Sequence, residues 1–432
     1  MLPVNGDSSD QGERPLRSIL EEVVECLAPI DRTPCSAGER EAAEWLAGRL
    51  RAIDGVDVAL EDEPSWGTFP PTATGLGIVG MLGAALVLSG RRLAGALVAA
   101  VGVAGIVDEA QNGPRIVRRV FRRRRTTVNL VARIGARHGR VAGSSESEPP
   151  LGTLVVIAHH DAPQTGMLFD QTLQRRLYER APQVLESTKT PPPQWWVGLA
   201  GPLCTFAAAA GLGPRFARAG LAIGAFGTAL VADVWRSETV QGANDNLSGA
   251  AALVGLAELL ARNPVADARV LLVSCGAEET LQDGIRAFMA RHRDELDADS
   301  TWFVNLDTVG SPHLVMLEAE GPIWMESYAG TWLSDLLAER AERLGVVLHR
   351  GFRARASTDS VIPSRAGYPT ATLVSMTDWR SPANYHLPSD IPANLDYATV
   401  VDATRLVYDV LGSLAQSRRE EAGGEIRTPL PS

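Results

Sequence analysis

Short apolar runs bounded by turn residues recur along the chain and alternate with longer stretches of helical periodicity. Three largely apolar runs, at 153–158, 269–274 and 302–306, are typical of strands that are buried on both faces. Helices are predicted around them at 16–27, 38–53, 247–262, 331–344 and 398–415. Strands that alternate with helices in this way predict an α/β fold, with a mostly parallel mixed sheet flanked by helices on both faces.

Two inserts interrupt this alternation, and each contains two apolar segments joined by a short arginine-bearing turn. They cover residues 72–107 and 195–235, with tryptophan at several segment ends. An apolar helix of about 20 residues can cross the ~30 Å hydrocarbon layer of a bilayer, and tryptophan is enriched at the interfaces. The segment at 93–107 is short, so it would need flanking residues or local thinning of the bilayer.

Each insert returns the chain to the side that it left, which suits a catalytic domain assembled from segments on both sides of both inserts. The sequence therefore predicts a multi-pass membrane protein with four hydrophobic segments, in contact with membrane lipid through 72–107 and 195–235. The alternative is a soluble enzyme whose two hydrophobic hairpins are buried against each other as a lid or a dimer contact.

A basic stretch after the first insert predicts the orientation. Its seven arginines are Arg115, Arg118, Arg119 and Arg122 to Arg125. The two hairpin tips together hold four. The positive-inside rule then favours a cytoplasmic catalytic domain. The same stretch could also contact anionic headgroups or serve as a solvated linker.

The inserts and polar ends divide the chain into seven predicted segments. The N-terminus (1–13) and the tail (417–432) are predicted to be disordered. The catalytic domain is predicted in three parts, at 14–63, 126–170 and 241–416. Between them lie a hydrophobic hairpin with its basic linker (64–125) and a second inserted hairpin (171–240).

Composition excludes some kinds of partner and site. A net charge of −10 over 432 residues argues against a nucleic-acid partner. The four cysteines have no CxxC spacing: Cys26, Cys35, Cys204 and Cys275. Neither a disulfide framework nor a zinc-thiolate site is therefore expected.

Polar side chains follow the predicted strands at the points where the strands end. His159 and Asp307 come directly after two of the apolar runs, and a Glu-Glu pair follows the third. Ligand sites of open α/β sheets lie at these ends. Zinc binds imidazole nitrogen and carboxylate oxygen, and two zinc ions about 3.5–4 Å apart can share a bridging carboxylate. The sequence therefore predicts a centre for two zinc ions per chain with five ligands: His159, Asp245, Glu279, Asp307 and His386.

Two further acidic residues have predicted roles beside the ligands. Asp161, two positions after His159, can accept the other imidazole N–H and fix the tautomer and orientation of the ring. Glu278 directly precedes Glu279 and lies on the opposite side of the backbone. Glu278 can therefore face an attacking water as the general base.

The ordered set of motifs resembles peptidase family M28, the co-catalytic zinc aminopeptidases. The resemblance rests on a strand that ends in His-x-Asp, an Asp-Asn-x-x-Gly turn, a Glu-Glu pair, an aspartate after a strand and a late histidine. It implies that Asp245 bridges the two metals. It also implies that His159 and Asp307 complete one zinc site, and that Glu279 and His386 complete the other.

The resemblance covers residues 14–416 apart from the two insertions, with small departures. The family usually has Asp-Asp-Asn at the bridging turn, where this chain has Asn244 before Asp245. The family often has Ser-Asp-His near Asp359, where Ser360 replaces the histidine. These departures remove none of the predicted ligands, so they bear on substrate preference and metal tuning more than on activity.

These features predict a membrane-associated zinc metallopeptidase that removes N-terminal residues from peptides. A zinc carboxypeptidase or another amidohydrolase of the same fold stays open, because the sequence alone does not assign a basic residue to a terminal carboxylate. A glutaminyl-cyclase-like acyltransferase would share the fold but use one zinc with fewer ligands. A non-catalytic membrane scaffold would be expected to have lost ligands or the base, and none is missing.

Overall fold

The computed structural model describes residues 15–135, 152–191, 195–266 and 268–425. The predicted disordered N-terminus, at 1–13, lies outside the described residues.

One mixed sheet contains the nine strands of the described chain. They are β1 Val56–Ser65, β2 Arg125–Ile134, β3 Gly152–His159, β4 Ala268–Cys275, β5 Thr301–Leu306, β6 His313–Glu320, β7 Glu326–Ser327, β8 His349–Ala354 and β9 Thr370–Met376. Their order is β1-β2-β4-β3-β5-β9-β6-β7, and β8 pairs with β6 beside this path. The predicted α/β class with a mixed sheet is thereby confirmed.

The centre of the sheet is parallel, and this determines where the chemistry lies. Strand β3 pairs in parallel with β4 and β5, and β5 pairs in parallel with β9. Antiparallel pairs extend the sheet on both sides, through β2 and β1 and through β6 and β7. The carboxyl ends of β3, β4, β5 and β9 therefore meet at one edge, where open sheets carry their ligand sites.

Helices flank this sheet and also form the two insertions. They are α1 Leu16–Leu27, α2 Ala37–Arg51, α3 Pro70–Leu88, α4 Arg92–Ala110, α5 Ile116–Phe121, α6 Thr172–Arg180, α7 Pro182–Glu186, α8 Trp196–Ala207, α9 Pro214–Arg236, α10 Ser248–Arg262, α11 Asp283–His292, α12 Thr331–Leu344, α13 Val361–Arg365 and α14 Tyr397–Glu425. Helices α1, α2, α10, α12 and α14 share one hydrophobic core with the sheet, and α11 packs in a second core.

The two cores lie on opposite faces of the sheet, as the alternation of strand side chains requires. Leu154 and Val156 of β3 belong to the larger core, whereas Val155 and Ile157 belong to the smaller one. All four side chains are fully buried. The continuous apolar runs of the sequence are explained by this burial on both faces.

The two inserted hairpins pack together as one bundle of apolar helices. A Cβ atom added at Gly83 of α3 would meet the backbone of Gly95 in α4 at 2.7 Å, so only glycine permits this approach. Gly201 of α8 and Gly220 of α9 face each other in the same way. Within the described residues, α3, α4 and α9 are long and apolar enough to cross a membrane, whereas α8 with its terminal π-turn is shorter.

The basic stretch after α4 differs from the solvated or headgroup-bound linker considered above. Arg115 forms a buried ion pair with Asp283, and Arg118 forms one with Glu109. Both arginines are 1% exposed or less. The stretch contains helix α5 and fixes the base of the bundle to the domain built on the sheet, so two of the seven arginines are not available to the membrane surface.

The predicted disordered tail is wrong at its beginning, because α14 continues through Glu425. Two arginines hold this extension against the domain. Nη2 of Arg418 donates to the carbonyl of Asp299 at 3.2 Å, and Nη2 of Arg419 donates to that of Ala266 at 2.7 Å. Charged residues outside the core thus lengthen a helix through contacts with distant carbonyl groups.

Candidate metal centre

The five predicted ligands come from separate loops at the carboxyl edge of the sheet. His159 is the last residue of β3, and Asp307 directly follows β5. Glu279 lies in a 3-10 turn after β4. Asp245 lies in the turn Ala243–Leu247 that precedes α10, and His386 lies in the loop between β9 and α14. The parallel centre of the sheet brings these loops together.

Potential ligand atoms form two groups that share Asp245. One group contains His159, Asp245 and Asp307, and the other contains Asp245, Glu279 and His386. Within each group the ligand atoms lie within 4.8 Å of one another. Oδ1 of Asp245 is 3.4 Å from Nε2 of His159, and its Oδ2 is 3.1 Å from Nε2 of His386. The two oxygens of one carboxylate therefore face two different histidines.

A third overlapping group contains His159, Glu278 and Glu279. Oε2 of Glu278 lies 4.0 Å from Nε2 of His159, farther than the oxygen of Asp245. Glu278 therefore borders the first ligand group from the side.

The electrostatics of the centre fit cations. Burial raises the pKa of the carboxyl groups of Glu278, Glu279 and Asp307 above their usual range, and Asp245 raises the pKa of Glu279 further. Burial opposes ionisation of Asp245 too, but His159 and His386 outweigh it and lower its pKa. Buried carboxylates at this density need cations or protons close by.

Several ligand atoms also lack other partners among the described residues. Oδ2 of Asp245 and both ring nitrogens of His386 are buried and make no hydrogen bond within the described chain. Buried polar atoms are normally hydrogen-bonded, so an exception calls for a specific reason. Imidazole nitrogens and carboxylate oxygens with free lone pairs are the donors that zinc prefers, and the residues present fit this metal.

Asp161 is connected to both parts of the centre. Its Oδ1 lies 3.4 Å from Nδ1 of His159, on the side of the ring opposite Asp245. Its two oxygens accept the backbone N–H groups of Glu278 and Glu279 at 3.1 and 3.0 Å. The buried carboxylate of Asp161 thus fixes the Glu-Glu turn and also lies next to the ring of His159.

Sequence reasoning missed Asp390, which supports the bridging turn. Its carboxylate accepts the backbone N–H groups of Asn244 and Asp245 at 2.7 and 3.1 Å. Burial raises the pKa of Asp390 to about 7. These contacts span 145 residues of sequence or more, and spacing alone gave no signal for them.

Asp359 and His160 lie beside the centre without belonging to a ligand group. Burial raises the pKa of Asp359 to about 8, and neither of its oxygens has a hydrogen-bond partner within the described residues. Nδ1 of His160 lies 3.0 Å from Oγ of Ser274, and His160 belongs to none of the three ligand groups of the described residues.

A narrow cleft lies beside the centre, at the base of the apolar bundle. Glu279 and His386 form part of its lining. Its other walls are mainly apolar: Pro34, Thr68, Phe69, Pro70, Ala162, Gln164, Phe169 and Val234. The ring of Phe169 lies 4.1 Å from that of His386, centroid to centroid. Pro70 begins α3 and Val234 lies near the end of α9, so the insertions supply part of this cleft.

The predicted resemblance to the M28 family is confirmed over residues 228–411, which match the model described as peptidase family M28. This range contains Asp245, Glu279, Asp307 and His386, whereas His159 lies before it. A comparison with curated protein sequences finds no significant match.

Several solved structures are similar to this fold at low sequence identity. LapB from Legionella pneumophila is 13% identical with a TM-score of 0.52, over 92% of this chain and 72% of that one. A glutaminyl cyclase from an Acidobacteriales bacterium is 11% identical with a TM-score of 0.51, over 96% and 100%. An aminopeptidase from Aneurinibacillus sp. strain AM-1 is 14% identical with a TM-score of 0.49, over 92% of each chain.

Proposed function

We propose, from the M28 match over residues 228–411 and the geometry of the ligand groups, that this chain is a two-zinc aminopeptidase. The observation that carries the proposal is the shared carboxylate. Asp245 is common to two groups of three donors, and together these groups comprise all five predicted ligands. A carboxylate that faces two histidines can bridge a pair of zinc ions.

In the proposed centre, His159, Asp245 and Asp307 hold one zinc ion, and Asp245, Glu279 and His386 hold the other. When bound, the two ions would polarise the scissile carbonyl and make a nearby water more acidic. Asp161 holds the ring of His159 and the Glu-Glu turn in place. These side chains are largely or fully buried, which keeps competing water out of the site.

Glu278 is proposed as the general base. It takes a proton from the attacking water and returns this proton to the leaving amine when the C–N bond breaks. Its position supports this role, since it forms a donor group with His159 of the first ligand group and Glu279 of the second, and one of its oxygens lies 4.0 Å from Nε2 of His159. The other oxygen is held by Gln282, whose Nε2 donates to it at 2.5 Å.

A glutaminyl-cyclase-like transferase is the second candidate, because a glutaminyl cyclase has a similar fold with a TM-score of 0.51. The complete five-donor set favours hydrolysis. The deciding experiment combines zinc analysis of the detergent-purified protein with three substrates: aminoacyl-p-nitroanilides, their N-acetylated forms and peptides with N-terminal glutamine. We expect chelator-sensitive release from the free-amino anilides alone. Ring closure of the glutamine peptides without anilide hydrolysis would instead identify a cyclase.

We also propose that the bundle of α3, α4, α8 and α9 inserts into a membrane. Its outer face exposes large apolar side chains, among them Leu93, Leu97 and Phe226, each more than half exposed. A soluble protein rarely leaves so large an apolar surface uncovered. Resistance of the protein to extraction from membranes by alkaline carbonate tests this. Release into the soluble fraction would favour the lid or dimer alternative.

The cleft suggests the substrate class. It is lined by Phe69, Phe169 and Val234 beside Glu279 and His386, and it lies where the bundle joins the domain. Apolar walls with a few polar groups at one end favour a substrate with an apolar N-terminal side chain. We propose that peptides with apolar N-terminal residues, presented close to the membrane surface, are preferred.

A further inference from the structure

The loop that follows α4 reaches from the apolar bundle to the proposed base through a chain of side-chain amides. Nδ2 of Asn112 donates to Oε1 of Gln282 at 2.7 Å. Nε2 of Gln282 then donates to Oε1 of Glu278 at 2.5 Å. Asn112 is 3% exposed and Gln282 is 1% exposed, so water does not compete for these bonds.

The direction of this series of hydrogen bonds is set by two arginines, which can only donate hydrogen bonds. Oδ1 of Asn112 accepts from Nη2 of Arg115 and, at 3.3 Å, from Nη2 of Arg286. The amide nitrogen of Asn112 must then point toward Gln282. That orientation makes Oε1 of Gln282 the acceptor and directs its N–H group at Glu278.

Gln282 is fully occupied in this arrangement. Besides Glu278, its Nε2 donates to the carbonyl of Ser357 at 2.8 Å, and its Oε1 also accepts from Oγ of Ser357 at 3.2 Å. All four hydrogen-bonding positions of the amide are used, so a flipped amide would lose each of these bonds.

We infer that Asn112 and Gln282 are positioning residues for Glu278, and that the base of the apolar hairpin thereby orients the proposed general base. This inference rests on the proposed peptidase function. Arg115 is held by its buried ion pair with Asp283, at the first residue of α11. One network of hydrogen bonds and an ion pair thus joins the end of the hairpin, the first residue of α11 and the Glu-Glu turn.

The test uses two substitutions that keep volume and backbone. Asn112→Asp suits the positive φ of 56° at this position and can still accept from Arg115 and Arg286, but it cannot donate to Gln282. Gln282→Met removes the amide at nearly the same size. Because a hydrogen bond to a charged group is lost or misdirected, we expect kcat to fall on the order of tenfold in each, with KM and zinc content nearly unchanged.

Gln111→Met is the matched control, since Gln111 precedes Asn112 and also ties the hairpin to the domain. Its Nε2 donates to Glu326 at 2.6 Å, and its Oε1 accepts the backbone N–H of Ile323 at 3.0 Å. It does not take part in the bonds to Gln282. We expect kcat to stay near the wild-type value. An equal loss in the control would mean that any loosening of the hairpin lowers activity, and would overturn the inference.

A double-variant cycle removes the remaining ambiguity. Nδ2 of Asn112 also donates to Oγ of Ser357 at 2.9 Å, and this hydroxyl in turn donates to Oε1 of Gln282. Both contacts of this Nδ2 therefore lead to Gln282, so Asn112→Asp combined with Gln282→Met should be no slower than Gln282→Met alone. Additive losses would contradict this. The melting temperatures of the chelator-treated variants give a reading that is independent of activity. The change in the double variant should be smaller than the sum of the changes in the two single variants. If the wild type hydrolyses no substrate, the proposed function fails, whereas wild-type kcat in both variants of an active enzyme overturns the inference alone.

Discussion

The carboxylate of Asp161 lies 3.4 Å from Nδ1 of His159, on the side of the ring opposite the side chain of Asp245. The same carboxylate accepts two backbone N–H groups from the Glu-Glu turn after β4. Adjacent parallel strands β3 and β4 therefore exchange contacts just beyond their carboxyl ends. A single acidic residue links the orientation of one predicted ligand, His159, to the positions of a second, Glu279, and of the proposed base, Glu278.

The first prediction concerns this link. Asp161→Asn keeps the shape of the side chain but removes its charge and one acceptor oxygen. We expect zinc affinity or activity to fall by about 10- to 100-fold, the usual effect of losing a partner behind a metal-bound histidine. Competition with a chromogenic chelator measures the affinity. Asp170→Asn, at an exposed loop position that caps Thr172, should leave it unchanged. Unaltered affinity and kcat in Asp161→Asn would contradict the role.

The second prediction separates the base from the ligands. Glu278→Gln should lower kcat by about 10²- to 10⁴-fold, because general-base catalysis contributes that much, while the zinc content stays at two per chain. Metal analysis and anilide hydrolysis are measured on the same sample. Glu186→Gln, an exposed change of the same kind, serves as the control. Near-normal turnover in Glu278→Gln would refute the base assignment, and loss of zinc would make Glu278 a ligand instead.

The third prediction concerns the number of metal ions. His386→Ala should lower the zinc content from two to about one per chain, because His386 belongs to only one of the two donor groups. Asp245→Asn weakens the residue that both groups share and should reduce both occupancies. Elemental analysis after dialysis gives the counts. His313→Ala, at a partly exposed histidine paired with Asp378, should retain the wild-type content. Equal zinc in wild type and His386→Ala would argue against the second site.

Much of the fold could be predicted because its signals are local. Helices α1 and α12 begin and end at the predicted residues, and the side chain of Ser36 caps α2 by accepting the N–H of Glu39. The three buried strands were visible as continuous apolar runs. Strand ends also identified the candidate ligands, since the carboxyl ends of parallel strands must share an edge.

Contacts between distant residues were not predictable in this way. Asp390 supports the bridging turn from 145 residues away, and Asn112 reaches Gln282 across 170 residues. Neither position differs locally from an ordinary loop. Arg115 was expected in a solvated or headgroup-bound linker, because a run of arginines has the same composition whether it is solvated or paired. Its buried partner, Asp283, is provided by the tertiary structure alone.

The fourth prediction tests the cleft. Phe69→Ala removes an apolar wall at the start of α3, so the preference for leucyl over alanyl anilides should fall on the order of tenfold in kcat/KM. The ratio of the two values, measured on one preparation, cancels differences in the active fraction. Phe226→Ala is the control, because that side chain lies on the outer face of the bundle and is 61% exposed. An unchanged ratio would place the recognition of the N-terminal side chain elsewhere.

The fifth prediction concerns the membrane orientation. If the bundle crosses a bilayer with the catalytic domain in the cytoplasm, the hairpin tips lie on the opposite side from α1. Cys26 is exposed on α1, and Ser89 is exposed at the first tip. In bacterial cells with a permeable outer membrane, an impermeant maleimide should label Ser89→Cys but reach Cys26 only after lysis. Cys35, Cys204 and Cys275 are replaced in both variants, and Cys26 is replaced as well in the Ser89→Cys variant, so that each carries a single thiol. Labelling of Cys26 in intact cells would reverse the orientation, and protection of both thiols until lysis would mean that the hairpins do not cross, because a tip on the cytoplasmic side is as inaccessible as the domain.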